Sequence, residues 1–146
     1  MRHFLIRDIM SQPPIVVAWD APILEASAIM ESNDIRRLPV VNDHEQVIGI
    51  ISLGDVREAC SVYTIASPYA PEQDEIVLAV DEVMSTPVYT VHPSDNLLVA
   101  VRLMLEHKIG GIPVVDDNKR TVGMVTESDI FRLLLQMAKE EQPQSS

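Results

Sequence analysis

The chain has 146 residues, of which 47% are apolar and 4% aromatic, and its formal net charge is −11. This composition predicts an aliphatic core in one domain or two small ones, and the negative charge disfavours DNA, RNA and anionic membranes as partners. The single cysteine, Cys60, excludes an internal disulfide and a thiolate metal cluster. The apolar run in the first ten residues, MRHFLIRDIM, is too short for a signal peptide, and we expect a cytoplasmic location.

The first predicted elements are a strand and a helix. The stretch PIVVA (14–18) is rich in residues that favour strands. A helix is expected to follow, with Asp20 as its N-cap and Pro22 in its first turn, where a missing N–H costs nothing. Helical spacing places one set of side chains on a single face: Ile23, Ala26, Ser27 and Met30.

A hairpin and a second helix are expected next. LPVV (38–41) and VIGIIS (47–52) flank the polar, turn-like NDHEQ (42–46), which predicts two antiparallel strands. The second helix is expected to begin near Asp55.

The same order recurs 74 residues later. Residues 7–58 laid on 81–132 without a gap are identical at 14 of 52 positions, where ordinary amino-acid usage gives about 3. GIISLGD (49–55) becomes GMVTESD (123–129), so the sequence predicts an internal duplication. The second copy is expected to have a strand in VYTVH (88–92) and a helix capped by Ser94. Its helices carry apolar residues at helical spacing: Leu97, Val101, Met104, Leu105, then Ile130, Leu133, Leu134 and Met137.

The predicted organisation is repeat 1 over residues 1–60, a linker over 61–80, repeat 2 over 81–138 and a flexible tail over 139–146. Neither repeat of about 50 residues is expected to bury enough surface alone. We therefore expect an α/β fold of two tandem β-α-β-β-α repeats, packed face to face about a pseudo-twofold axis. Pro68 and Pro71 break any continuous helix in the linker.

The repeated motif pairs a hydroxyl with a carboxylate three residues later, Thr126 with Asp129 and Ser52 with Asp55. At a strand-to-helix junction, free N–H groups and the helix dipole attract phosphate, and a carboxylate can accept both protons of a ribose diol. The same spacing also defines the capping box, which only starts a helix. From the residues alone both interpretations stay open.

The tandem pattern, with Met-Ser followed by IGGIPVVDDNKRTVGMVTESDI, resembles a pair of CBS (cystathionine-β-synthase) domains over about residues 5–138. In that family, a glycine-apolar-x-apolar-proline stretch and a later glycine-apolar-apolar-Thr/Ser-x-x-Asp stretch mark an adenosyl-nucleotide site. The resemblance implies that Asp129 holds the ribose and that Thr126 contacts phosphate or ribose. It implies that backbone near the second copy's glycine-proline stretch frames the adenine and that residues 86–89 enclose the base. The second-copy positions concerned are Gly110, Gly111, Ile112, Pro113, Thr86 and Tyr89.

The first copy departs from this pattern, because Arg36 and Arg37 replace the glycine pair. The arginines either reach phosphate oxygens, which suits a guanidinium, or fill the cleft. We expect the second copy to be the better-formed site. Candidate ligand contacts in the first copy are Arg37, Leu38, Pro39, Ser52, Asp55 and Arg57, of which Arg57 is a candidate phosphate anchor or a solvated surface charge.

Two functions follow from the resemblance. The first is a regulatory module that binds an adenosyl nucleotide such as AMP, ADP, ATP or S-adenosylmethionine between its repeats, pairs into a homodimer and signals to an effector protein. The second is a scaffolding dimer without a ligand. The sequence contains no GxSxG, HExxH, P-loop or GxGxxG motif and no metal-binding histidine spacing, so we expect neither an enzyme nor a catalytic cofactor or metal.

Overall fold

The computed structural model describes residues 3–66 and 78–141, and for residues 62–66 it describes the backbone alone. The expected order of elements is confirmed in both copies, except that the first strand of the second copy is reduced to a single bridge at Val91. The opening segment of each copy also contains a four-residue helix that the sequence does not predict. In chain order the elements are α1 (Ile6–Ile9), β1 (Val17–Ala18), α2 (Ile23–Asn33), β2 (Arg37–Val41), β3 (Val47–Ser52), α3 (Leu53–Ala66), α4 (Val80–Val83), α5 (Leu97–His107), β4 (Gly111–Val115), β5 (Thr121–Thr126) and α6 (Glu127–Glu141).

The chain divides into two compact units. The repeat-1 unit is Ile15–Val88, and the repeat-2 unit combines residues 1–14 with 89–146. The opening segment of each copy, assigned by the 74-residue offset, is therefore part of the unit built on the other copy. The expected linker, residues 61–80, is only partly described, and its prolines Pro68 and Pro71 lie outside the described residues. Most of the expected tail also lies outside them.

The repeat-1 unit contains a three-stranded sheet in the order β1-β2-β3. β1 runs parallel to β2, and β2 and β3 form an antiparallel hairpin in which Leu38 lies opposite Ile51. Both of these side chains are fully buried, because they face helices α2 and α3 across an aliphatic core. The sheet thus holds Ser52, the last residue of β3, directly before α3.

The repeat-2 unit repeats this hairpin at the same offset. Ile112 on β4 lies opposite Val125 on β5, and both are fully buried. The register shift between Val114 and Val115 matches the shift between Val40 and Val41 in the first hairpin. The left-handed residues also recur, with Glu45 at φ 62° and Lys119 at φ 64° in the two hairpin turns. The duplication therefore extends to backbone conformation.

The first strand of each copy is shorter than predicted. Only Val17–Ala18 forms a strand within PIVVA, and within VYTVH only Val91 makes a bridge, to Val114. Pro13 precedes the first stretch and Pro14 begins it, and a proline has no N–H to donate to a ladder. The residues are extended, but few of them pair.

The expected helix caps are wrong by two residues. α2 and α5 begin at Ile23 and Leu97, so the N-caps are Pro22 and Asn96 rather than Asp20 and Ser94. The Asn96 side chain accepts the Leu98 N–H at 2.9 Å, which satisfies one of the free amides at the start of α5.

The buried helix faces follow the expected spacing, with one exception in α5 and a second, Leu134, in α6. Met30 in α2 and Met104 in α5 are buried at equivalent positions, and so are Ala26 and Ala100. Leu105 was expected on the buried face but is 75% exposed. It follows Met104 directly, and adjacent helical residues point about 100° apart, so Leu105 leaves the core face.

The opening segment Phe4–Ser11 packs in the repeat-2 unit. The Ile6 N–H donates to the Asp95 carbonyl at 2.9 Å, which docks α1 at the start of α5. Ser11 pairs with Met124 on β5 through two backbone hydrogen bonds of 2.8 and 3.0 Å. The Met10 side chain and the Ser11 carbonyl then lie directly over Gly123.

The repeat-1 unit contains the equivalent arrangement, made by the segment that precedes the second copy. The Val80 N–H donates to the Ala21 carbonyl at 2.8 Å. Ser85 pairs with Ile50 on β3 through hydrogen bonds of 2.7 and 3.2 Å. Each hairpin therefore gains an added backbone partner from a distant part of the chain.

Candidate functional site

Asp129 lies in the first turn of α6, directly after β5, and is 7% exposed. Its Oδ2 accepts the Thr126 N–H at 2.9 Å and the Thr126 hydroxyl at 3.1 Å. The Asp129 N–H donates back to Thr126 Oγ1 at 3.4 Å. This is a reciprocal capping box, so the capping interpretation of the motif is confirmed in its geometry.

The other carboxylate oxygen of Asp129 also has partners. Oδ1 accepts the Ser11 hydroxyl at 3.0 Å and the Arg132 Nη1 at 3.1 Å. Ser11 comes from the segment that pairs with Met124, and Arg132 lies one turn further along α6. The side chain of Arg132 is 73% exposed, whereas that of Asp129 is 5% exposed. A buried carboxylate is thus compensated by four donors.

Asp55 occupies the equivalent place in the repeat-1 unit but has fewer partners. Its Oδ2 accepts the Ser52 N–H at 2.9 Å, and its own N–H donates to Ser52 Oγ at 3.0 Å. Within residues 3–66 and 78–141, no donor contacts Asp55 Oδ1. The residue at the position of Arg132 is Glu58, which is also an acid and cannot donate to a carboxylate. The two motifs therefore share a cap but differ around the second oxygen.

The first backbone N–H of α3 and of α6 donates a hydrogen bond to the residue just before the hairpin of the same unit. The Glu127 N–H donates to the Gly110 carbonyl at 3.0 Å, and the Leu53 N–H donates to the Arg36 carbonyl at 2.8 Å. The first amide of each helix is thus bonded within its own unit. The expectation that these helix starts offer free amides to a phosphate is wrong for these two groups.

The glycine-proline stretch forms strand β4 in the repeat-2 unit. Gly111, Ile112 and Pro113 are all buried. The Pro113 carbonyl accepts the Val91 N–H at 3.1 Å. Gly111, the first residue of β4, lies opposite Thr126, the last residue of β5, in the hairpin register.

Tyr89 makes a ring contact with His107 at the end of α5. The two ring centroids are 3.9 Å apart, and the planes differ by 15°. This separation is that of direct stacking, so one face of the Tyr89 ring is already covered. In the repeat-1 unit, Trp19 donates its Nε1–H to Asp43 Oδ1 at 3.1 Å.

The predicted contacts fall into two groups, one in each unit. Thr86 was expected to help enclose the base at the second copy, but it belongs to the repeat-1 unit, next to the Ser85–Ile50 pairing. The repeat-2 unit contains Tyr89, Gly111, Ile112, Pro113, Thr126 and Asp129. The repeat-1 unit contains Arg37, Leu38, Pro39, Ser52, Asp55, Arg57 and Thr86.

The first-copy arginines have different surroundings. Arg37 is half-buried on β2 and lies opposite Ser52, the motif hydroxyl. Arg36 and Arg57 are exposed and line a groove of about 860 Å³ between α2 and α3 that also contains Glu31 and Asp34. These acids line the same groove as the two arginines, and their negative charge weakens the positive field that an approaching phosphate would meet there.

Residue patterns did not identify Ser11 as a contact of Asp129, since 118 positions separate the two. The signal was the repeated Met-Ser pair, which the offset placed in the first copy. The other donor to Asp129 Oδ1, Arg132, lies three residues further along α6. Over the described ranges, no group of three or more His, Cys, Asp or Glu side chains is placed to hold a metal ion. No helix in those ranges is both long and apolar enough to cross a membrane.

Known proteins match this chain over most of its length. It is 32% identical over 147 residues to a CBS domain-containing protein of Dictyostelium discoideum, covering 97% of this chain and 98% of that protein. It is 33% identical over 129 residues to the L-aspartate semialdehyde sulfurtransferase of Methanocaldococcus jannaschii, covering 88% of this chain. The chain spans only 23% of the length of that enzyme, so the enzyme's name describes a much larger protein.

Solved structures of CBS domain pairs have the same fold. The CBS domain pair of protein MJ0100, in complex with 5′-methylthioadenosine and S-adenosyl-L-methionine, aligns with a TM-score of 0.79 and 31% identity, covering 93% of this chain and 99% of that chain. CBSX2 in complex with AMP aligns with a TM-score of 0.73 and 25% identity, covering 92% and 98%. A model of the CBS domain matches residues 6–62 and 80–136. With two tandem matches and a shared fold, this chain belongs to the CBS domain family.

Proposed function

We propose that this chain is a regulatory binding module that senses an adenosyl compound, such as AMP or S-adenosylmethionine, and passes the signal to an effector protein. The observation that supports this most is the recurrence of a hydroxyl-carboxylate pair at the start of α3 and α6, each beside a buried proline-containing strand. CBS domain pairs similar to this chain were solved with 5′-methylthioadenosine, S-adenosyl-L-methionine and AMP.

In this proposal the carboxylates of Asp55 and Asp129 accept the two hydroxyl protons of a ribose. Ser52 and Thr126 each support their carboxylate through the capping box and are close enough to contact the same sugar. The apolar strands supply the surface for adenine: Leu38 and Pro39 in one unit, and Gly111, Ile112 and Pro113 in the other. Thr86 and Tyr89 help to enclose the bases, and Arg37 and Arg57 are the candidate phosphate contacts.

Binding rather than catalysis is the proposed activity. The sulfurtransferase and the homoserine O-acetyltransferases among the relatives match this chain over only 23–25% of their lengths. We attribute their named reactions to their remaining parts. A ligand shifts a regulatory module only if it binds two states with different affinities. The effector protein and the cytoplasmic location stay predictions.

Thermal unfolding tests the proposal directly. A ligand at 100 times its dissociation constant adds about 2.7 kcal/mol of stability, which corresponds to a rise in the unfolding temperature of several degrees. We expect such a rise with at least one of AMP, ADP, ATP, S-adenosylmethionine and 5′-methylthioadenosine, and none with inorganic phosphate. Unchanged unfolding temperatures across the whole panel would contradict the proposal.

That negative outcome would favour the scaffold alternative. The capping boxes at Asp55 and Asp129 are complete within the chain. They account for the repeated motif without any ligand, because each one satisfies amides at the start of a helix. A ligand-free dimer would then be the simpler function.

Homodimer formation through helices is part of the proposed function. The repeat-2 unit exposes large apolar side chains on α5 and α6, where a monomer would be expected to show charge. Leu105, Phe131 and Leu135 are 75%, 58% and 65% exposed. Together with Leu98 and Leu134, which are 48% and 56% exposed, they give each helix an apolar surface available to a second copy.

We expect Phe131→Glu to convert the dimer to a monomer. A buried, unpaired carboxylate at a helix interface costs several kcal/mol. Light scattering should give a mass of 32.6 kDa (2 × 16.3) for the unaltered chain and 16.3 kDa for the variant. Gln136→Glu adds the same charge to α6, at an exposed position outside this apolar set, and should leave the mass at the dimer value. A monomer mass for the unaltered chain would contradict the dimer.

A further inference from the structure

The two motif carboxylates differ at one oxygen. In the repeat-2 unit, Asp129 Oδ1 accepts Ser11 Oγ at 3.0 Å and Arg132 Nη1 at 3.1 Å. In the repeat-1 unit, Asp55 Oδ1 accepts no hydrogen bond from any described residue, although Ser85 stands at the position equivalent to Ser11. Since the caps themselves are alike, the difference comes from the groups that surround the second oxygen.

A ribose diol needs both acceptor positions of a carboxylate to be reachable, and a carboxylate oxygen has a limited number of lone pairs. At Asp129 the capping box uses Oδ2 twice, and the two remaining donors use Oδ1. A ligand hydroxyl at Asp129 therefore has to displace a protein donor. At Asp55 it does not.

The two competing donors are not equally easy to displace. Arg132 carries its guanidinium on a side chain that is 73% exposed, and such a head group can move into water at little cost. The backbone of Ser11 is held beside Asp129, because both its N–H and its carbonyl pair with Met124. Its hydroxyl can leave the carboxylate only by rotation of the side chain, so Ser11 is the donor that stays next to Asp129.

We infer that Ser11 competes with the ligand's ribose for Asp129, so that the two repeats bind adenosyl compounds with different affinities. This inference rests on the proposed function and adds a specificity-determining residue that lies outside both motifs. Occupation of Asp129 releases the Ser11 hydroxyl and thereby links binding in the repeat-2 unit to the segment that pairs with β5. Asp55 has no such link.

The test is a calorimetric titration with AMP and with S-adenosylmethionine, one site at a time. Asp55→Asn weakens the repeat-1 site, and Ser11→Ala is then added to that variant. We expect Ser11→Ala to tighten binding by about 2- to 10-fold, the range given by the net contribution of one hydrogen bond. Ser11→Thr keeps a hydroxyl and should return the affinity to that of Asp55→Asn alone.

The matched control uses the other repeat. Asp129→Asn weakens the repeat-2 site, and Ser85→Ala added to it should leave the affinity unchanged, because the Ser85 hydroxyl does not contact Asp55. Unchanged affinity on Ser11→Ala, or equal tightening by Ser85→Ala, would overturn this inference while the proposed function stands. Failure of the unaltered chain to bind either compound would overturn both.

Discussion

Gly123→Ala is expected to lower the free energy of unfolding by about 2 kcal/mol, within the range for overpacked cores. A Cβ at Gly123 would lie 2.8 Å from Met10 Sδ and 3.0 Å from the Ser11 carbonyl oxygen. The sulfur can move, but the carbonyl is held by its hydrogen bond to the Met124 N–H. At an unobstructed position the same substitution would stabilise by about 0.4–1 kcal/mol, through the unfolded chain.

Gly49→Ala is the matched control for this prediction, since Gly49 occupies the same place in the repeat-1 unit. The nearest atoms to its added Cβ all belong to the Met84 side chain. A flexible methionine can rotate away, so the loss should be smaller than at Gly123. Urea unfolding measures both values. Equal losses, or a stabilisation at Gly123, would contradict the packing of the segment over β5.

Asp129→Ala is expected to lower the free energy of unfolding by about 2–3 kcal/mol without any ligand. Its removal leaves the Thr126 N–H, the Thr126 hydroxyl and the Ser11 hydroxyl without their acceptor. Donors in a partly buried place cost about 1–3 kcal/mol when unsatisfied. The exposed guanidinium of Arg132 finds water and adds little to this loss.

Asp55→Ala should cost less, about 1 kcal/mol, since it removes only the cap of α3. Thermal or urea unfolding of both variants gives the difference. If the two losses were equal, the contacts of Asp129 with Ser11 and Arg132 would contribute nothing to stability.

Local patterns were enough to predict the hairpins and the long helices. Alternating or continuous apolar residues define β2 to β5, and helical spacing defines the buried faces around Met30 and Met104. The duplication made the prediction stronger, because each element had to be present at two positions. The α/β class and the two repeats followed from this consistency.

Contacts between distant segments could not be predicted in the same way. The offset placed Met10 and Ser11 in the first copy, whereas these residues pack in the repeat-2 unit against Gly123 and Met124. No local periodicity records such an exchange of segments. α1 has only four residues, which is too short for a helical pattern.

The sequence predicted the residue types of the candidate site but not the different hydrogen-bond donors around its two carboxylates. The sequence identified Asp129 and Asp55 as equivalent, and they are equivalent in their capping boxes. The difference between them arises from Arg132, which replaces Glu58 in the alignment, and from Ser11, which comes from far along the chain. The contact with Arg132 follows from its i,i+3 spacing on α6, whereas the contact with Ser11 depends on the fold.

The measurement that tests the central claim most directly is a calorimetric titration of AMP and S-adenosylmethionine into the unaltered chain and into the double variant Asp55→Asn/Asp129→Asn. Asparagine keeps one oxygen for each helix cap but removes the charge-assisted bonds to a ribose. We predict binding of at least one compound to the unaltered chain and an affinity about 10- to 100-fold weaker in the double variant. Equal affinity in the two proteins, or no binding to the unaltered chain, would contradict the claim that the repeated aspartates hold an adenosyl ligand.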